Sequence, residues 1–119
     1  MKFYYNGKLI RSSEHAYTHA VINIETGMCE GCRTSEQAAR SIISQAINRE
    51  LAEITNCKSA IKALESGKKY YTVKIGRRTC PIKLDKDDSI KLYEDYMKAS
   101  EKFIEAIKQY WRVVELEAK

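Results

Sequence analysis

The chain has 119 residues, 44% of them hydrophobic, which is enough for one compact core but short for two independent domains. We therefore expect a single domain over residues 1–119. No apolar run approaches the roughly 20 residues needed to cross a bilayer, and the N-terminus lacks the charged and then apolar pattern of a signal peptide. These features predict a cytoplasmic protein with no membrane partner, in which the four cysteines are thiols or metal ligands rather than a disulfide framework.

The first 25 residues have the composition of β-strands. Aromatic and branched residues flank Asn6-Gly7, a dipeptide typical of a two-residue β-hairpin turn. Residues 17–25 then alternate between two faces, as a third strand does. We predict an antiparallel three-stranded meander over about residues 2–25. Its expected register places Tyr5 opposite Lys8 and Phe3 opposite Ile10.

Two helices and a second hairpin are expected in the rest of the chain. Residues 35–66 lack Gly and Pro, keep apolar residues at helical spacing and end before Gly67, which predicts a helix. The alternative is a helix broken at residues 55–57, three poor helix formers. Residues 69–84 have the pattern of a β-hairpin, and nothing in residues 86–117 stops a second long helix. This order of elements predicts an α+β fold.

The predicted C-terminal helix carries a heptad repeat, spaced alternately by three and four residues. Its members are Ile90, Tyr93, Met97, Ser100, Ile104, Ile107, Trp111 and Val114. Such a stripe either packs on the chain's own first helix and sheet as ordinary core, or faces another chain. We predict a homodimer contact and keep ordinary core as the alternative. The residues assigned to self-association are Met97, Ile104, Ile107, Trp111 and Val114.

The positive charge is concentrated in the predicted second hairpin. Residues 67–84 contain six Lys and Arg and no Asp or Glu, whereas the rest of the chain carries 15 Lys and Arg against 16 Asp and Glu. Cations on a two-stranded ribbon can bind phosphate oxygens or guanine edges, and tyrosine rings can stack on exposed bases. The predicted contact residues are Lys68, Lys69, Tyr70, Lys74, Arg77, Arg78 and Lys83. Their target is nucleic acid or an acidic protein surface, and a merely solvated turn is the alternative.

A zinc site is a weaker candidate. His15, His19, Cys29 and Cys32 supply two imidazoles and two thiols within 18 residues, and zinc binds both ligand types. The spacing is not that of common zinc modules, so an exposed turn with ordinary thiols is the alternative and no cofactor is expected. A redox role for Cys-x-x-Cys is disfavoured because the thioredoxin-like βαβ pattern is absent.

The sequence favours a small binding protein that is not an enzyme. It contains no phosphate-binding glycine loop, nucleophile elbow or zinc-protease helix. We therefore expect nucleic-acid contact through the basic hairpin and self-association through the C-terminal helix. One alternative is a protein-interaction or inhibitory module, of the accessory type found in phages and mobile elements, whose hairpin docks on a partner enzyme. The other is a structural zinc-binding protein.

Overall fold

The computed structural model describes residues 1–67, 73–75, 78–80 and 86–119, the two short ranges by their backbone alone. The elements in chain order are β1 (Lys2–Tyr5), β2 (Lys8–Ser12), β3 (His19–Asn23), β4 (Cys29–Arg33), α1 (Glu36–Glu65), β5 (Val73–Ile75), β6 (Arg78–Cys80), α2 (Lys86–Tyr110), β7 (Trp111–Glu115) and β8 (Glu117–Ala118). Antiparallel strands and two helices confirm the predicted α+β class. In this described part of the chain, no helix is both long and apolar enough to span a membrane.

The predicted hairpin turn between β1 and β2 is confirmed. Asn6 and Gly7 have φ angles of 50° and 77°, and positive values at both central residues are what the type I′ hairpin turn requires. Tyr5 pairs with Lys8 as expected. The turn chemistry therefore fixes the register next to the turn.

The register changes two residues before the turn. Phe3 lies opposite Arg11, because the pairing shifts between Phe3 and Tyr4. The predicted pairing of Phe3 with Ile10 is therefore wrong. A β-bulge adds one residue to one strand, and no residue type in β2 predicts the position of the extra residue.

The N-terminal strands agree in outline with the predicted meander, but they belong to two sheets. One sheet has the order β2-β1-β8 and the other has the order β4-β3-β7. Strand β4 covers the Cys-x-x-Cys segment, so the interpretation of this segment as an exposed turn is wrong. Both sheets therefore combine strands from the two ends of the chain.

Helix α1 forms as predicted and is continuous. The Ser35 hydroxyl accepts a hydrogen bond of 3.1 Å from the backbone N–H of Ala38, which caps the helix start. The chain passes residues 55–57 without a break, so the alternative of a broken helix is wrong. At the other end, Gly67 has a φ of 104°, a conformation that glycine adopts at low cost after a helix.

The predicted helix over residues 86–117 is too long. Helix α2 ends at Tyr110, and the chain continues directly as strand β7, which pairs with β3 over its whole length. The heptad spacing runs across this boundary, although Trp111, Val113 and Val114 are residues that favour strands. The long-range pairing with β3 decides the conformation here, because sequence spacing alone cannot register a strand partner about 90 residues away.

Two compact units divide the chain. The sheet unit contains residues 1–49 and 104–119, and the helical unit contains residues 50–103. Each helix begins in one unit and ends in the other. The expectation of a single folded domain therefore stays a prediction.

Each unit has its own apolar cluster. In the sheet unit, the buried residues Ala20, Ile22 and Cys32 pack with Tyr5, Ile10, Tyr17, Val114 and Leu116. In the helical unit, the buried residues Cys57, Ala60, Leu64 and Tyr93 pack with Ile61, Ile90 and Met97. The second cluster joins the C-terminal half of α1 to the N-terminal half of α2 through the first three apolar heptad positions.

Replacing Ile107 with alanine should destabilise the protein by about 2–5 kcal/mol. Its side chain is completely buried, so the change removes apolar contacts and leaves a cavity. Leu51→Ala is the matched control, because Leu51 is 48% exposed and its loss should cost less than about 1 kcal/mol. Urea unfolding followed by circular dichroism measures both. Equal losses in the two variants would contradict the burial of Ile107.

Candidate functional site

The predicted basic hairpin is confirmed where the chain is described. Strands β5 and β6 pair antiparallel, with Val73 opposite Cys80 and Ile75 opposite Arg78. Of the predicted contact residues, Lys74 lies in β5 and Arg78 in β6, on the two strands of one ribbon. The other predicted contact residues lie outside the described part of the chain, namely Lys68, Lys69, Tyr70, Arg77 and Lys83.

The residues assigned to self-association do not lie on one helix face. Met97 packs against the cluster of the helical unit, and Ile104 and Ile107 are buried within the chain. Trp111 and Val114 belong to strand β7, where Val114 packs on the β3–β4 cluster. Ordinary core, the alternative interpretation of the heptad, describes Met97, Ile104, Ile107 and Val114. Self-association stays a prediction that this stripe no longer supports.

The structure brings together two of the four candidate zinc ligands. The sulfurs of Cys29 and Cys32 are 3.7 Å apart. The two histidines have other contacts: His15 packs its ring against Tyr17, and His19 Nδ1 hydrogen-bonds with the Thr18 hydroxyl at 2.8 Å. Within the described ranges, no group of three or more His, Cys, Asp or Glu side chains is arranged to hold a metal ion. The predicted four-ligand site is therefore not assembled here.

A β-bulge explains why the two sulfurs meet. Residues three apart on a regular strand point to opposite faces of a sheet. In β4, however, Cys32 lies opposite Ala20 and Cys29 lies opposite Ile22, so that one extra residue, Glu30, is inserted between them. Directly opposed residues share a face. The bulge therefore returns Cys29 to the face that Cys32 occupies.

The opposite face of β4 is shaped by Gly31. A Cβ atom at this position would lie 2.8 Å from Cδ1 of Ile42 on helix α1, closer than real contacts allow. A side chain at position 31 would therefore require the end of the Ile42 side chain to shift. Gly31 thus lies next to Ile42 of α1, and the two thiols lie on the other face of the strand.

The two thiols differ in exposure. Cys32 is only 1% exposed and belongs to the cluster formed by Ala20 and Ile22. Cys29 is exposed at the surface. Partial burial of its sulfur raises the pKa of the Cys29 thiol, and neighbouring Cys32 raises it further, while a backbone hydrogen bond with Gly31 and the charge of Arg11 oppose the shift. Cys29 is therefore reachable but held mainly as the neutral thiol at pH 7.

A cleft of about 360 Å³ lies beside this pair in the sheet unit. Its apolar wall is made by Tyr5, Ile10, Ile22 and Ile24, and Lys8 contributes a positive charge. Ile22 lines the cleft and is also the residue opposite Cys29. No motif in the sequence predicts this cleft. The two turns that contain glycine are visible in the sequence. They do not reveal the cleft, because the cleft forms where the two hairpins approach each other.

The remaining described thiol is part of a core. Cys57 lies in α1 and packs in the cluster of the helical unit. Burial raises the pKa of this thiol as well, and the charge of Glu53 adds to the shift. We therefore assign Cys57 a packing role.

Comparison with protein-family models, with curated proteins and with solved structures finds no match for this chain. Function is therefore argued from the chain's own residues.

Alkylation should distinguish the two thiols of β4. Because its pKa is raised, Cys29 should react with iodoacetamide at pH 7 more slowly than a free cysteine peptide, and its rate should keep rising above pH 9. Cys32 should react only on unfolding. Replacing Cys32 with alanine removes a group that raises the Cys29 pKa, so it should shift the rate profile to lower pH. A Cys29 rate equal to that of the peptide at pH 7 would contradict this assignment.

Proposed function

We propose that this chain is a small non-catalytic binding protein that contacts nucleic acid through residues 67–84. The observation that carries the proposal is the separation of charge along the sequence. All of the excess positive charge lies in this one segment, which has six cations and no carboxylate. Non-specific binding to nucleic acid arises chiefly from cations that replace condensed counterions at phosphates.

The backbone pairing of β5 with β6 supports this proposal. The two strands form a two-stranded ribbon, a shape that the major groove of DNA admits. Arginine forks onto phosphate oxygens and guanine edges, for which Arg77 and Arg78 are the candidates. Tyr70 and Tyr71 precede the ribbon in sequence and provide rings that can stack on unpaired bases. Single-stranded regions are therefore candidate targets beside duplex.

The packing of the flanking helices supports it as well. The segment leaves α1 after Glu65 and enters α2 at Lys86. Leu64 and Ile90, close to those two ends, belong to the same apolar cluster. The basic segment is thus inserted between two helix ends that are held together, and fixing the ends of a binding segment lowers the entropy it loses on binding.

Charge reversal at Arg77 and Arg78 tests the proposal. The double variant should bind a labelled 20-nucleotide single strand and the matching duplex at least about tenfold more weakly at 100 mM salt. The slope of log K against log salt should flatten by about one unit for each lost phosphate contact. Fluorescence anisotropy over a salt series measures both quantities.

The matched control reverses Lys98 and Lys102, two exposed lysines on α2 in the same unit. It makes the same change in net charge, so net charge alone would weaken both double variants equally. An equal loss of affinity in the two double variants would contradict the assignment of nucleic-acid binding to residues 67–84. If wild type binds no nucleic acid, but a pull-down after nuclease treatment recovers a protein through Arg77 and Arg78, the nucleic-acid proposal fails and the ribbon docks on an acidic protein surface.

A further inference from the structure

The pair Cys29 and Cys32 is a cluster of nucleophilic side chains that the proposed function does not use. We infer that these two thiols form a reversible modification site. In this site the two thiols exchange with a small-molecule disulfide of the glutathione class, which is reduced to two thiols while an intrachain disulfide forms between Cys29 and Cys32. The inference rests on the separation of the sulfurs, the register of β4 and the difference in exposure.

The register brings the two cysteines within the range that a disulfide spans. Cys29 and Cys32 lie opposite Ile22 and Ala20, which are two residues apart on β3. Two residues of a strand cover about 6.6 Å, and Cα atoms joined by a disulfide are usually about 4.4–6.8 Å apart. The sulfurs already lie 3.7 Å from each other, compared with about 2.05 Å in the bond. Closure therefore requires side-chain rotation and a small backbone adjustment.

The difference in exposure between Cys29 and Cys32 determines which thiol reacts first. A dissolved disulfide can reach Cys29, which is at the surface, whereas Cys32 is 1% exposed and its sulfur faces that of Cys29. The first bond therefore forms at Cys29. Once that bond exists, the Cys32 sulfur is the nearest thiol to it among the described residues. Cys29 is the attacking residue and Cys32 is the resolving residue.

The exchange balances as two substitutions at sulfur. The Cys29 thiol loses its proton, and its thiolate attacks one sulfur of the small disulfide, so that a mixed disulfide forms and one small thiolate leaves. The Cys32 thiol then loses its proton and attacks the Cys29 sulfur, which releases the second small thiolate. Both small thiolates take up the two protons. The protein loses two hydrogens, and the small disulfide is reduced to two thiols.

The direction of the Cys29 pKa shift fits a modification rather than a catalytic cycle. Because the thiol is held neutral, attack on the small disulfide is slow at pH 7. Catalytic dithiols of the thioredoxin type have lowered pKa values instead. The site is thus suited to a stable change of state that follows the redox condition of the surroundings.

The experiment uses the reduced full-length protein with oxidised glutathione and a metal chelator. After acid quenching and alkylation, trypsin leaves Cys29 and Cys32 on one peptide, residues 12–33, because no Lys or Arg lies between Ser12 and Cys32. The expected product is this peptide with two hydrogens fewer, with neither alkyl group nor glutathione. A reducing agent should restore the original mass.

Three variants sharpen the result. Cys32→Ser should trap glutathione on Cys29, because the resolving thiol is missing. Cys29→Ser should give peptide 12–33 with Cys32 alkylated and no glutathione. Cys57→Ser is the matched control and should close the Cys29–Cys32 bond at the wild-type rate. Circular dichroism of each variant confirms its folding.

The wild-type measurement decides the question even where a variant folds poorly. Stable glutathione on Cys29 of the wild-type protein would overturn the inference, because it would show that Cys32 does not resolve the mixed disulfide. A bond from Cys29 to Cys57 or Cys80 would overturn it as well. Nucleic-acid binding is assayed separately on the reduced protein, so its outcome does not depend on this one.

Discussion

The sheet unit depends on strand β3 finding hydrogen-bond partners on both of its edges. Ala20 and Val21 are completely buried, and a buried backbone group without a partner costs free energy comparable to a lost hydrogen bond. Strand β4 satisfies one edge, and β7 satisfies the other over five paired residues. The hydrogen bonds from Ile24 N–H to the Tyr110 carbonyl and from Leu116 N–H to the Thr18 carbonyl extend this pairing beyond both ends of β7.

This requirement explains the end of helix α2. A helix continued past Tyr110 would leave one edge of a buried strand without partners, whereas the strand conformation supplies them and buries Val113 and Val114 partly against the sheet unit. The chain then reaches β1, where β8 pairs with Phe3 and Tyr4. The C-terminal residues thus complete both sheets, and the aromatic and branched residues there serve as strand formers rather than as a heptad.

The same arrangement leaves β4 as an outer strand, which can accept an extra residue. A bulge in a strand paired on both sides would disturb two ladders, but in β4 it disturbs only one. Glu30 can therefore be inserted without breaking the pairing of Cys29 and Cys32 with β3. The close sulfur pair therefore follows from the position of β4 at this edge, where the bulge is tolerated.

Local signals predicted what local interactions determine. Asn6-Gly7 specified its own turn, and Gly67 marked the end of α1, because turns and helix ends depend on adjacent residues. The strand β7 and the bulge in β4 were missed, because both depend on β3 as a partner that the local sequence does not reveal. The sulfur pair of the site was visible as Cys-x-x-Cys, but its geometry required the bulge. The two histidines lie near the cysteines in the sequence. Closeness in sequence does not bring side chains together in space when the chain between them is an extended strand.

The basic segment differs from the rest of the chain in its charge, which the sequence alone defines. Six like charges within 18 residues repel one another, and no carboxylate of the segment offsets them. The helix ends that flank it are joined by Leu64 and Ile90, which do not involve those charges. This concentration of charge along the sequence is the reason for proposing a polyanionic partner, whose phosphates would supply compensating charge on binding.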